Sequence, residues 1–144
     1  MTIDDPVSIA RRWHAEVYLQ GRDDVAEEIC DPDLVAHGTL IPADAPRGPR
    51  FVQEDAAAMR KAFRFDSLVD EDVVAADDKV VIRWSFRGTH VGTLMGEAPS
   101  GRRVQLEGVD IFRVRNGRIS EFWGVYDALS LTQQIGAAPA AMEV

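Results

Sequence analysis

The hydrophobic period of this chain changes once, after residue 65, and that change limits its folds more than any other feature. Before it apolar residues recur at helical spacing; after it they alternate. Ile9, Trp13 and Val17, with Ala10, His14 and Tyr18 beside them, form a wide stripe on a first helix. Asp5 is placed to cap that helix, Pro6 suits its first position, and Gly21 closes it. Asp23 or Asp24 caps a short second helix through Val25 and Ile29, which Asp31-Pro32-Asp33 breaks. Leu34 to His37 reads as a short strand. Residues 39–50 hold Pro42, Pro46, Gly48 and Pro49 and read as a loop that can rim a cavity. A third helix is predicted from Phe51 to Phe65, with Ala56, Met59 and Phe63 on one side.

The alternating part begins with two strands, Leu68–Ala76 and Lys79–Arg87, joined at Asp77-Asp78. Gly92, Gly96, Pro99 and Gly101 mark an irregular loop. Val104–Val114 and Arg118–Tyr126 form a hairpin around Asn116-Gly117, a strong turn signal. Asp127 caps a last helix ending near Gly136. Residues 137–144 have nothing to pin them and are expected to fray, leaving an ordered core of about residues 5–136. Helices followed by a run of antiparallel strands is the α+β pattern. A curved sheet folded over a few helices encloses one pocket.

Composition narrows the function. At 144 residues one domain spans the chain and buries roughly two-thirds of its unfolded surface without staples. Sixteen Lys and Arg against twenty-four Asp and Glu leave a net charge of −8, which repels nucleic acid over most of the surface. No apolar run approaches the ~18 residues of a membrane span. The start, Met1-Thr2-Ile3-Asp4-Asp5, has neither the basic nor the apolar region of a signal peptide, so a cytoplasmic location is expected. The lone cysteine, Cys30, excludes an internal disulfide, and Glu27, Glu28 and Asp31 beside it raise its pKa rather than activate it.

Chemistry concentrates in Val104–Val114. Alternation puts Leu106, Gly108, Asp110, Phe112 and Val114 on one face. Asp110 is the one charge on that more apolar face, where ionisation is costly unless the carboxylate is partnered or wetted. It is therefore a candidate acid or base with a raised pKa; the alternative is a structural carboxylate satisfied by an arginine or by backbone groups. Its cross-strand neighbours depend on the turn. A two-residue loop at Asn116-Gly117 brings Trp123, Val125 and Asp127 to its face; a three-residue loop brings Phe122, Gly124 and Tyr126.

His37, beside the proline-rich loop, can look into a cavity or be a structural histidine. His90 reads as a turn residue, and His14, one turn from Tyr18, as core. No pair of histidines has the spacing of a helical zinc site, so no metal is expected. Serines lack a nucleophile elbow, and the glycines fit no phosphate loop. Trp13, Trp84 and Trp123 are most simply core, although aromatics around a pocket also suit a flat polycyclic ligand.

Four stretches together resemble a known family: Arg83–His90; Gly92–Arg103; Asp110-Ile-Phe-Arg-Val-Arg-Asn-Gly-Arg-Ile119; and Glu121-Phe-Trp123 with Asp127. They are similar to the SnoaL-like polyketide cyclases over about residues 7–136. The resemblance implies a ketosteroid-isomerase-like cone, a curved antiparallel sheet wrapped around three to four helices and enclosing an apolar cavity. It also implies frequent homodimers and no metal or organic cofactor. Members of the family close a ring on anthracycline precursors by an intramolecular aldol reaction, using a cavity aspartate where this chain has Gly124. They carry a histidine where this chain has Asp110. Both positions lie in the family's cavity, which favours the three-residue loop.

These departures fit the family's cofactor-independent hydroxylases better than its cyclases. The expected substrate is a polycyclic aromatic polyketide, with Asp110 as acid/base and His37, Trp84, Phe112, Phe122, Tyr126 and Tyr18 around it. Aldol ring closure is the alternative reaction. A third possibility is a protein that holds a hydrophobic small molecule without chemistry, for which an Asp110 locked to an arginine would be the sign.

Overall fold

The computed structural model describes residues 5–137. Asp5 accepts the backbone N–H of Val7, and helix α1 runs Pro6–Arg12. It continues without a break as a π-helical segment, Trp13–Tyr18, which forms the last turns of α1, and the chain turns at Gly21 with φ +68°. The wider π turn buries Trp13 and Val17 while His14 and Tyr18 reach a cavity beneath the sheet. Helix α2 (Asp23–Ile29) differs from expectation at its start. Arg22 takes the extended cap position, and Asp23 and Asp24 lie in the first turn, where their charge suits the helix dipole.

Helix α2 ends at Ile29, ahead of Asp31-Pro32-Asp33 as expected, and the chain then runs straight into a strand that starts earlier than Leu34. Strand β1 spans Cys30–His37 at the edge of the sheet, where the missing N–H of proline is tolerated. Helix α3 spans Pro49–Ala62 and gives way to strand β2 at Phe63–Ala76. Phe63 and Phe65 thus leave the predicted helix, because Phe63 pairs with His90 at the end of strand β3 (Lys79–His90). Strands β4 (Arg103–Arg115) and β5 (Arg118–Tyr126) follow, then helix α4 (Ala128–Ile135), capped by Asp127 and closed by a left-handed Gly136. Ala137 packs beside Leu131 and Ile135, so fraying does not begin there; the rest of the tail lies outside the described residues.

The fold is α+β, with strand order β1-β5-β4-β3-β2. Its sheet is mixed rather than wholly antiparallel, since β1 runs parallel to β5. The helices cover one face. There Trp13 stacks on Phe122 with ring centroids 4.7 Å apart and meets Phe112 edge-on at 5.3 Å. Among the described residues no helix is long and apolar enough to cross a membrane.

The β4–β5 hairpin resolves the register in a way neither simple loop predicts. Asn116 and Gly117 have φ of +54° and +75° and join Arg115 to Arg118 as a two-residue turn of the type I′ kind. The register then shifts: Val114 pairs with Ile119, but Arg113 pairs with Glu121, leaving Ser120 as an extra residue. Beyond this bulge Phe112 faces Phe122, Asp110 faces Gly124, and Gly108 faces Tyr126. The face is the one a three-residue loop implies. The bulge, not the loop, produces it.

Candidate active site

Asp110 reaches the helix-covered side of β4, where ionising it without a partner is costly. Its partner is His14. The His14 Nε2–H donates to Asp110 Oδ2 at 2.8 Å, and Nδ1–H donates to Asp70 Oδ1 at 2.7 Å. Asp70 reaches the same side from β2 through its pairing with Trp84, beside an irregularity that sets Glu71 aside as an extra residue. His14 and Asp110 are only 5% and 6% exposed. Ionised carboxylates only accept hydrogen bonds, so two of them on one ring require a proton on each ring nitrogen. Burial alone pushes the His14 imidazolium down; the bonds to Asp110 and Asp70 outweigh it and hold its pKa up to about 9.

A second polar pair lies nearby. The Tyr18 hydroxyl donates to Asp55 Oδ2 on α3. Burial, with the charges of Asp55 and Asp110, pushes the Tyr18 phenol well above its usual range. Asp55 opens onto the cavity, yet the surrounding walls thin the solvent. Desolvation raises its carboxyl, the Tyr18 hydrogen bond opposes that, and the charge of Asp110 adds to it. Burial and Asp55 likewise raise the Tyr126 phenol.

His14, Asp110, Tyr18, Asp55 and Tyr126 open onto one cavity of about 190 Å³. Its apolar walls include Phe51, Met59, Phe65, Phe86, Leu106 and Leu131, and among the described residues no lysine or arginine lines it. Trp84 lies against Gly108, where any Cβ would come within 2.2 Å of the indole. Of the residues expected at the site, Asp110, Trp84, Phe122, Tyr126 and Tyr18 line this cavity.

Phe112 and His37 do not. Phe112 is fully buried between Trp13 and Phe122, because the first helix covers the sheet at that row. His37 pairs in register with Trp123, whose side chain points to the face opposite that of Phe122. Its ring stacks on Trp123 at 5.2 Å and bonds Glu121 at 2.9 Å, beside a separate depression under residues 38–47. His90, expected in a turn, ends β3 fully buried, and its Nδ1 accepts the backbone N–H of Ser100.

Sequence reasoning missed His14, Asp70 and Asp55 as site residues. The stripe of α1 held the only signal for His14, which sits beside Tyr18 on it. Asp70 carried none, since the strand irregularities around it are invisible in composition. Among the described residues no group of His, Cys, Asp and Glu is arranged to hold a metal ion. The His14 nitrogens point to two different carboxylates rather than converging with them on one point.

A buried histidine between two carboxylates, beside an apolar cavity between sheet and helices, is a set of groups able to hold and move a proton. The chain belongs to the SnoaL-like polyketide cyclase family, whose family model matches residues 8–135. Aklanonic acid methyl ester cyclase AcmA of Streptomyces galilaeus is 26% identical over 135 residues, covering 93% of this chain and 92% of the relative. Aklanonic acid methyl ester cyclase DnrD of Streptomyces peucetius is 27% identical over 136 residues, covering 90% of each. The solved structure of TsrD from Streptomyces laurentii superposes with a TM-score of 0.81 at 25% identity, over 92% of this chain and 96% of that one.

Proposed function

We propose that the cavity takes an uncharged polycyclic aromatic polyketide and that Asp110 moves the reacting proton. The carrying observation is the placement of Asp110: Oδ2 is held by His14, while Oδ1 faces position 124, 3.3 Å from where a Cβ there would stand. The family resemblance puts the cyclases' aspartate at position 124 and a histidine at 110. Here the carboxylate comes from 110 and the histidine from α1, yet the carboxylate oxygen serves the same part of the cavity.

That geometry supports intramolecular aldol closure best. Asp110 Oδ1 takes a proton from carbon, the carbanion adds to a carbonyl carbon within the same molecule, and the carbonyl oxygen takes a proton. Tyr126 is the hydroxyl donor on the wall, since the single O–H of Tyr18 is given to Asp55. Atoms and mass are conserved, and no reductant is needed. The relatives named as cyclases support the same reaction.

The lining argues for the charge of the substrate. Asp55 and Asp110 are there without a lysine or arginine, and the cation among the described lining residues, His14, has both N–H groups committed. A free carboxylate is repelled; an ester is admitted, as the relatives' names also suggest. Cofactor-independent hydroxylation is the second reading, favoured by the departures at Asp110 and Gly124. In it Asp110 deprotonates a reduced quinone, which reacts with dioxygen itself. Binding without chemistry loses its expected sign, since Asp110 is bonded to His14 and not to an arginine.

The test is incubation with aklanonic acid methyl ester and with its free acid, with and without a quinone reductase and labelled dioxygen. A product of unchanged mass from the ester marks ring closure, and gain of a labelled oxygen marks hydroxylation. Absence of turnover on the ester in every condition overturns both.

A further inference from the structure

Asp70 is the group that the proposed chemistry leaves unused. It is mostly buried and carries a charge, yet it does not line the cavity. Its carboxylate accepts the Nδ1–H of His14, on the side of the ring away from Asp110. The three groups come from three elements that share no local sequence: α1, β2 and β4. A core needing only to be filled is served more cheaply by apolar side chains, since burying two carboxylates on one imidazole carries a large desolvation cost. The arrangement is a line: outer carboxylate, imidazole, inner carboxylate, cavity.

We propose that Asp70 is a positioning residue for the reaction, acting through His14 to keep Asp110 aimed, without touching the substrate. This rests on the reading of Asp110 as the acid/base group. With a carboxylate on each ring nitrogen, His14 keeps both protons, so its Nε2–H faces Asp110 Oδ2 and leaves Oδ1 for the substrate. Remove the outer charge and the ring loses one of the two partners that hold its second proton. A neutral ring has one proton for two neighbours, and any ring that turns a lone pair on Oδ2 no longer holds the base. The other titratable groups near the ring are Tyr18, 5.9 Å away on its own helix, and Asp55 on α3, which bonds Tyr18. Neither one bonds His14, so neither replaces Asp70.

The experiment uses Asp70→Asn, which keeps the shape and an acceptor for Nδ1–H while removing the charge. Turnover of the methyl ester is followed against pH, and the His14 ring is titrated by NMR in the free protein. The expected result is a loss of roughly 10- to 100-fold in kcat at pH 8, by analogy with carboxylate partners of metal-bound histidines. KM stays within about twofold, because Asp70 does not line the cavity. The alkaline limb of kcat, expected to follow His14 in the unaltered protein, moves toward neutrality together with the His14 titration. Asp70→Glu restores part of kcat.

An unchanged kcat profile in folded Asp70→Asn overturns the proposal, as does a raised KM with unchanged kcat. A lower melting temperature with full activity per folded molecule does so too. If the unaltered protein turns over no polyketide, the functional reading fails separately. The NMR titration then decides alone: a His14 that titrates at its ordinary value, or that ignores both Asp70→Asn and Asp110→Asn, removes the unit itself.

Discussion

Asp110 and Gly124 face each other across β4 and β5, and the missing side chain at 124 leaves the carboxylate its room. A Cβ on Gly124 would stand 3.3 Å from Asp110 Oδ1 and 2.7 Å from Phe122 Cζ. Gly124→Ala therefore forces the Phe122 ring to move inside a packed cluster. The expected cost is about 1–3 kcal/mol, the usual range for overpacking. Thermal denaturation reads it as a loss of several degrees, with turnover reduced alongside; an unchanged melting temperature refutes the close approach.

Asp110→Asn keeps the shape and most hydrogen bonding while removing the transferable charge. Turnover is expected to fall about 10²- to 10⁴-fold, the usual worth of one general acid or base, with ligand affinity retained. Single-turnover rates and melting curves on one preparation check it. Full turnover in a stable variant returns Asp110 to a structural role.

The His14 imidazole titrates at about 9 in the fold against an ordinary 6.5. Because the folded value is the higher one, its contribution to stability is complete below about 6.5 and disappears as pH rises through 9. The gap corresponds to a few kcal/mol. Melting temperatures of the unaltered protein and His14→Gln should converge between those two values. Parallel curves from neutral to alkaline pH would show that the histidine is not held charged.

His37 lies outside the cavity, stacked on Trp123 and bonded to Glu121. His37→Ala is expected to leave KM and kcat within about twofold, because this stacking and this hydrogen bond are partly exposed and away from the substrate. A tenfold rise in KM would bring the loop beside it back into the site.

The helices cover one face of the sheet, and the other carries exposed Val69 and Val125. The family resemblance leads to the expectation of a dimer through this face, for which light scattering at micromolar concentration would give twice the chain mass. A monomer there counts against it.

Much of the scaffold is legible in the chain itself because its signals are local. Asp5 before Pro6, Asp127 before α4, and Gly136 after it are capping chemistry that acts within a few residues. Alternation along β4 puts Asp110 on the apolar face whatever the rest of the chain does, and Asn116-Gly117 specifies a tight turn. The same local reading carries the third helix too far, because only the pairing of Phe63 with His90 tells strand from helix there.

The meeting of His14, Asp70 and Asp110 was decided by tertiary structure. His14 and Asp110 are 96 residues apart and His14 and Asp70 are 56 apart, and no spacing rule relates residues at such separations. The bulge at Ser120 turns Gly124, rather than Trp123, toward Asp110, and the irregularity at Glu71 shapes the stretch of β2 that carries Asp70. A strand's period says which side chains share a face. Where the period slips, and which helix residue meets that face, depends on how the sheet closes over α1, and that is a property of the whole fold.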